Sequence, residues 1–133
     1  MEEFKIIGKL DINKLGKYKY LVTCEEVILT DERKQHIIDK HKEHYDLFLD
    51  YLPDIIYNPD YILEDTKNEN TIILLKEVIE DNKRIKVIIK LAVENTKNRR
   101  FNSIITYWNI RQRDYNKTIA KGKIIYKKLD KNE

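Results

Sequence analysis

Between residues 71 and 111, three runs of strand-forming residues follow one another with short links, and no other feature constrains the fold as much. Residues 71–79 read as one strand. Residues 80–83 form a turn centred on Asp81 and Asn82, residue types whose side chains bond their own backbone and tolerate left-handed φ. Residues 84–93 alternate, with Ile85, Val87, Ile89, Leu91 and Val93 on one face and Lys86, Ile88, Lys90 and Ala92 on the other. A basic loop, residues 94–101, leads to a third strand over 102–111. Links this short join antiparallel neighbours, whereas parallel strands need a crossover of about a dozen residues or more. The pattern predicts an antiparallel meander.

Ahead of it lies the clearest helical stretch, TDERKQHIIDKH over residues 30–41. Thr30 is suited to the N-cap, since its hydroxyl can accept from an unpaired first-turn N–H. Asp31 and Glu32 suit the positive end of the helix dipole. The third residue past Thr30 is Arg33, so the reciprocal capping box is absent. Ile37, His41, Tyr45 and Phe48 recur at helical spacing, and Ile38, Leu49 and Leu52 widen the stripe. His41 falls within that stripe and His36 one residue off it. The helix runs to Tyr51 or breaks near residues 42–44, and Pro53 ends it or opens a further turn. Elsewhere, residues 4–10, 20–29, 61–64 and 123–127 read as extended, Gly16 and Asn58-Pro59-Asp60 as turns, and residues 113–120 as a short helix or turn.

A chain of 133 residues is long enough for one domain with its own core. Composition, 37% charged and 41% hydrophobic, fits a soluble globular protein, and no apolar run approaches a membrane span. The start, MEEFKIIGKL, is acidic where a secretion signal is basic. Cys24 is alone, so there is no internal disulfide, and no Cys/His spacing suggests zinc. We expect a protein of the host cytoplasm that needs no metal or cofactor. Charge is divided: residues 1–66 hold 9 Lys and Arg against 15 Asp and Glu, while residues 67–133 hold 17 against 8. Residues 83–128 hold 14 basic residues and only two acids, Glu94 and Asp114. Such a basic half points either to a polyanion partner or to a solvated lysine-rich surface.

The candidate chemistry lies in His36 and His41, in Lys90, and in the strand residues Ser103 and Thr106. Simple alternation puts Ser103 and Tyr107 on one face and Thr106 and Trp108 on the other, unless a bulge re-aims them. Arg99, Arg100, Arg111 and Arg113 bracket that strand, and cations interleaved with aromatics suit RNA. Each feature alone is ordinary, since a His on an apolar helix face is more often a packed core residue than a catalyst. Together they are the kit of metal-free RNA cleavage. A general base takes the 2′-OH proton, a general acid serves the 5′-oxygen, and cations or hydroxyls stabilise the phosphorane. Histidine can do the first two near neutral pH.

Five blocks, VILTDERKQHIIDKH (27–41), NPDYILED (58–65), KVIIKL (86–91), NSIITYW (102–108) and IIYKK (124–128), together resemble phage-borne members of the BECR superfamily. That superfamily groups barnase, EndoU, colicin-type tRNA ribonucleases and RelE-like toxins. The resemblance implies an α+β fold in one domain, with N-terminal helices packed on a small antiparallel sheet. It divides the chain into N-terminal strands (1–29), a helical part (30–57) and the antiparallel sheet (61–128). It implies a metal-independent endoribonuclease, a phage or mobile-element toxin or effector, acting on RNA such as tRNA and held by a protein antitoxin or inhibitor. Carried over by position, the catalytic set is His36, His41, Lys90, Ser103 and Thr106. Arg99, Arg100, Tyr107, Arg111 and Arg113 would bind substrate. Two other readings stay open: a non-catalytic nucleic-acid-binding module, and a phage protein that inhibits a host protein through exposed tyrosines such as Tyr57, Tyr61 or Tyr115.

Overall fold

The structure, a computed structural model, describes residues 3–94 and 100–129. Seven strands are formed: β1 (Phe4–Lys9), β2 (Glu26–Thr30), β3 (Tyr61–Glu64), β4 (Thr71–Val78), β5 (Lys83–Lys90), β6 (Asn102–Asn109) and β7 (Lys123–Lys127). Helices α1 (Asp31–Phe48) and α2 (Leu52–Tyr57) join β2 to β3, and α3 (Gln112–Lys121) joins β6 to β7. All seven strands belong to one sheet, in the order β1-β2-β6-β5-β4-β3-β7.

The class is α+β, but the expected arrangement of N-terminal helices on a small antiparallel sheet is corrected. β1 and β2 precede every α-helix and are part of the sheet, and β2 pairs parallel to β6 in an otherwise antiparallel order. The cause lies in Val27, Ile28 and Leu29, which are all buried although successive residues face opposite sides. A strand apolar on both faces needs cover above and below, and neighbours on both edges. It finds β1 on one side and β6 on the other. The extended run expected over 20–29 shortens to β2. Before it, Gly16–Tyr20 forms a 3-10 turn and Val22 only an isolated bridge with Val93. Gly16 sits at φ +56°, and a Cβ there would stand 2.7 Å from the Ile125 side chain.

Helix α1 begins at its expected cap: the Thr30 hydroxyl accepts from the Arg33 N–H at 3.2 Å. It continues unbroken past residues 42–44 to Phe48, and Pro53 falls in the first turn of α2, where its missing N–H costs nothing. Ile37, Tyr45 and Phe48 of α1 pack against Val87, Ile89, Ile104 and Tyr107 of the sheet. Each such side chain contributes roughly 1.5–3 kcal/mol by leaving water. On the opposite face α3 covers a smaller core of Leu63, Leu75, Ile110 and Tyr115. The helix therefore shields only part of that face, the part over β3 and β4.

The meander β4-β5-β6 forms with Asn82 left-handed (φ 53°) at its first turn. Its second pairing is interrupted. Ile88 faces Thr106 and Ile89 faces Ile104, so Ile105 is an extra residue in β6. This bulge reverses the alternation beyond it. Ser103, opposite Lys90, and Thr106, opposite Ile88, come to the same face, together with Trp108 opposite Lys86. Tyr107 turns to the α1 face.

Candidate nucleic-acid interface

The partly open face of the sheet therefore carries Lys86, Lys90, Ser103 and Thr106 side by side. Beside them is a cleft of about 640 Å3, floored by Ile73, Lys86 and Ile88 and rimmed by Lys67, Lys121 and Lys123. The end of α3 and the 65–68 turn form its walls.

Lys86 is the centre of this arrangement. Its ammonium lies 5.3 Å from the centre of the Trp108 ring. Burial pulls its pKa below that of a free lysine, with Asp65 and Asp114 opposing the shift. Among the described residues no carboxylate stands within ion-pairing distance of it. The carboxylates lining the cleft are occupied elsewhere. Asp65 accepts from the Lys67 and Asn68 backbone N–H groups and from the Asn68 side chain. Glu64 is gripped by Lys17 at 2.5 Å and Lys123 at 3.0 Å, and accepts from the Tyr18 hydroxyl at 3.1 Å. Those contacts, Lys17 first and Lys123 next, pull the Glu64 pKa down to about 2. Burial, with the bond to Glu64 second, pushes Tyr18 up to about 12. A half-buried cation without a carboxylate, in a lysine-rimmed cleft, is set up to receive an anion.

The other expected site residues fall as follows. Lys90 donates from its ammonium to the Glu69 carbonyl, which the Thr71 hydroxyl also reaches, so it clamps the loop beside the cleft. Ser103 is buried and Thr106 half-buried. Tyr107 is fully buried, and its hydroxyl donates to the Tyr45 carbonyl of α1 at 2.9 Å, so it has no surface to offer a substrate. Arg111 and Arg113 are exposed at the start of α3, Arg111 bonding Asp114. Arg100 sits at the far end of β6, over the Phe101 ring. Arg100, Arg111 and Arg113 thus mark the two ends of β6 and do not gather on one rim. Arg99 and the side chain of His41 lie outside the described residues. His36 is half-buried on α1, which packs on the opposite face of the sheet. The structure brings Lys90, Ser103 and Thr106 together but does not bring His36 to their face. The flank of α1 does border β6, since the Arg33 guanidinium donates to the Ile105 carbonyl at the bulge (3.1 Å). Of the tyrosines considered for protein contact, Tyr115 is buried, Tyr61 half-buried and Tyr57 exposed.

Two residues escaped the sequence reading. Lys86 shares the alternation of Lys90, and the same pattern could have singled it out. Asn102 is fully buried. Its side-chain oxygen accepts from the Ala92 N–H at 2.9 Å, and its amide donates to the carbonyls of Cys24 and Glu26 at 3.0 and 2.9 Å. It pins β6 to β2 next to Ser103. No spacing rule announces such a residue.

Among the described residues, no group of three or more His, Cys, Asp or Glu side chains is placed to hold a metal ion. No helix among them is long and apolar enough to cross a membrane. A basic, hydroxyl-bearing sheet face beside a lysine-rimmed cleft is characteristic of proteins that handle nucleic-acid backbones. The chain belongs to the family described as phage-Barnase-EndoU-ColicinE5/D-RelE like nuclease 2, whose profile matches residues 2–127. No curated protein and no solved structure matches the chain.

Proposed function

We propose that the protein is a metal-independent endoribonuclease, a phage or mobile-element effector, which cleaves RNA on the face carrying Lys86, Lys90, Ser103 and Thr106. The observation that carries this reading is Lys86, a half-buried ammonium with no carboxylate partner among the described residues, set in a cleft rimmed by three more lysines. Attack of the 2′-oxygen on phosphorus places extra negative charge on the phosphoryl oxygens. A preorganised cation in a partly dry site stabilises that charge more than water does. Lys90 and the Ser103 and Thr106 hydroxyls lie along the same face and would position the phosphate. The P–O5′ bond then breaks, leaving a 2′,3′-cyclic phosphate and a 5′-hydroxyl. The lowered pKa of Lys86 suits it to give a proton to the departing oxygen.

His36 and His41 remain the proposed acceptors of the 2′-OH proton, because imidazole ionises near neutrality. They sit on α1, so an RNA strand would have to reach them around the edge of β6 that Arg33 borders. That separation is also what favours the second reading, a module that binds nucleic acid without cutting it. Incubating the purified protein with total RNA in EDTA, followed by end-group analysis, separates the two. New 2′,3′-cyclic phosphate ends are expected. Intact RNA across a range of pH, with salt-dependent binding retained, would establish the non-catalytic module.

A further inference from the structure

Away from the cleft, the open face continues across β6 and β2 to β1. Ile6, Ile28, Ser103 and Lys90 are successive partners on four strands, so they form one row on that face. At its far end stand Phe4, 47% exposed, and Ile6, 55% exposed. The Phe4 ring meets the Phe101 ring, centroids 5.4 Å apart and planes inclined at 46°. The Arg100 guanidinium lies 5.6 Å from the Phe101 ring centre. An aromatic pair, Phe4 exposed and Phe101 half-buried, with a guanidinium over the second ring, thus shares a face with Lys90 and Ser103. Strands in a sheet lie about 4.8 Å apart, so three steps separate Ile6 from Lys90 by roughly 14 Å. A single strand of RNA spans that in a few nucleotides.

We infer that Phe4, Phe101 and Arg100 form a stacking subsite for one unpaired nucleobase of the RNA whose backbone crosses Lys90 towards Lys86. The inference rests on the reading of this face as an RNA site and deepens it, by making the substrate single-stranded on one side of the cleft. Rings and guanidinium planes accept any base face, while a paired base is withheld by its own duplex. The bland alternative is that Phe4 and Ile6 are only the exposed apolar residues of an edge strand. That alternative does not account for the arginine held over the ring, nor for the row that connects the ring pair to Lys90.

The test uses short RNAs, 2′-O-methylated throughout to prevent cleavage, with 2-aminopurine at each position in turn. The parent protein should quench the fluorophore at one position and bind single strands better than duplex. Phe101→Leu keeps an apolar side chain but removes the ring; it should abolish that quenching and weaken binding about tenfold or more. Phe101→Tyr should restore both. Should Phe101→Leu fail to fold, Phe4→Leu, at an exposed position, is read in its place. Parent-like quenching and affinity in the folded leucine variant would overturn the inference, as would equal binding of duplex or no binding of RNA by the parent. Unmodified RNA distinguishes the two levels. If the parent stacks the probe but leaves unmodified RNA intact, the nuclease reading falls and the subsite stands; if it cleaves and the leucine variant stacks as before, the reverse holds.

Discussion

Replacing Asn102 with alanine should destabilise the fold by about 3 kcal/mol. Three hydrogen bonds are lost, to Ala92 N–H and to the carbonyls of Cys24 and Glu26, each worth about 1 kcal/mol net. The side chain is fully buried, so water does not replace it freely, and the stranded groups push the cost upwards. For a domain of this size such a loss lowers Tm by about 10 °C. Urea unfolding followed by circular dichroism measures it, and an unchanged m-value would confirm that the native state, not the denatured one, has changed. Asn102→Asp should do no better, because a carboxylate cannot donate to the two carbonyls and would face them with like partial charge. An alanine variant within about 1 kcal/mol of the parent would refute the claim that this amide pins β6 to β2.

Lys86→Met should cut RNA cleavage by about 10²–10³-fold while leaving the fold intact, read by single-turnover kinetics. It should also stabilise the protein at neutral pH. Burial lowers the folded pKa of Lys86 beneath its ordinary value of 10.5, so the charged amine costs stability at neutral pH. That cost is relieved as pH rises towards 10.5, and the advantage of the methionine should shrink over the same window. Glu64→Gln should flatten the acid limb of stability. The Glu64 carboxylate stabilises the fold above its unfolded pKa of 4.5, and the contribution fades as pH falls towards about 2, so melts across that window should separate the two proteins. Gly122→Ala should cost about 1–3 kcal/mol, since its Cβ would lie 2.1 Å from Leu63 and 2.6 Å from the Thr118 carbonyl. Chemical denaturation reads that loss, and a variant as stable as the parent would show that the turn between α3 and β7 yields.

Much of the local structure was legible in the sequence. Thr30 capped its helix, the alternation of residues 84–90 set both faces of β5, and Asn82 took the turn. Those signals are short-ranged and depend on one residue or one period. The partnership of β2 with β6 was not legible, because it links residues 28 and 103 and no local pattern encodes which distant strand supplies an edge. The Ile105 bulge was only conditionally legible, yet it decides that Ser103 and Thr106 share a face. Site reading failed most for Tyr107: an aromatic in an apolar strand looks the same in sequence whether it meets RNA or α1. The alternation offered Lys86 and Lys90 alike; what separates them, the Lys90 ammonium drawn to the Glu69 carbonyl and that of Lys86 left at the cleft, is a property of the assembled fold.

The parallel pairing of β2 with β6 has a consequence for the time at which a chain emerging from the ribosome becomes competent. β2 is made early, but its inner edge finds a partner only after some seventy-five further residues, from Ile28 to Ser103, have been synthesised. Contacts this distant in sequence slow folding, since the loop must close before the pairing rewards it. Lys86, Lys90, Ser103 and Thr106 all belong to the later part of the chain, and α3, which walls the cleft, comes later still. A ribosome making this protein therefore carries an unfinished sheet, and no assembled lysine cleft, until β6 and α3 have followed β2 out. The basic face of the sheet is thus completed only long after its first strands have been made.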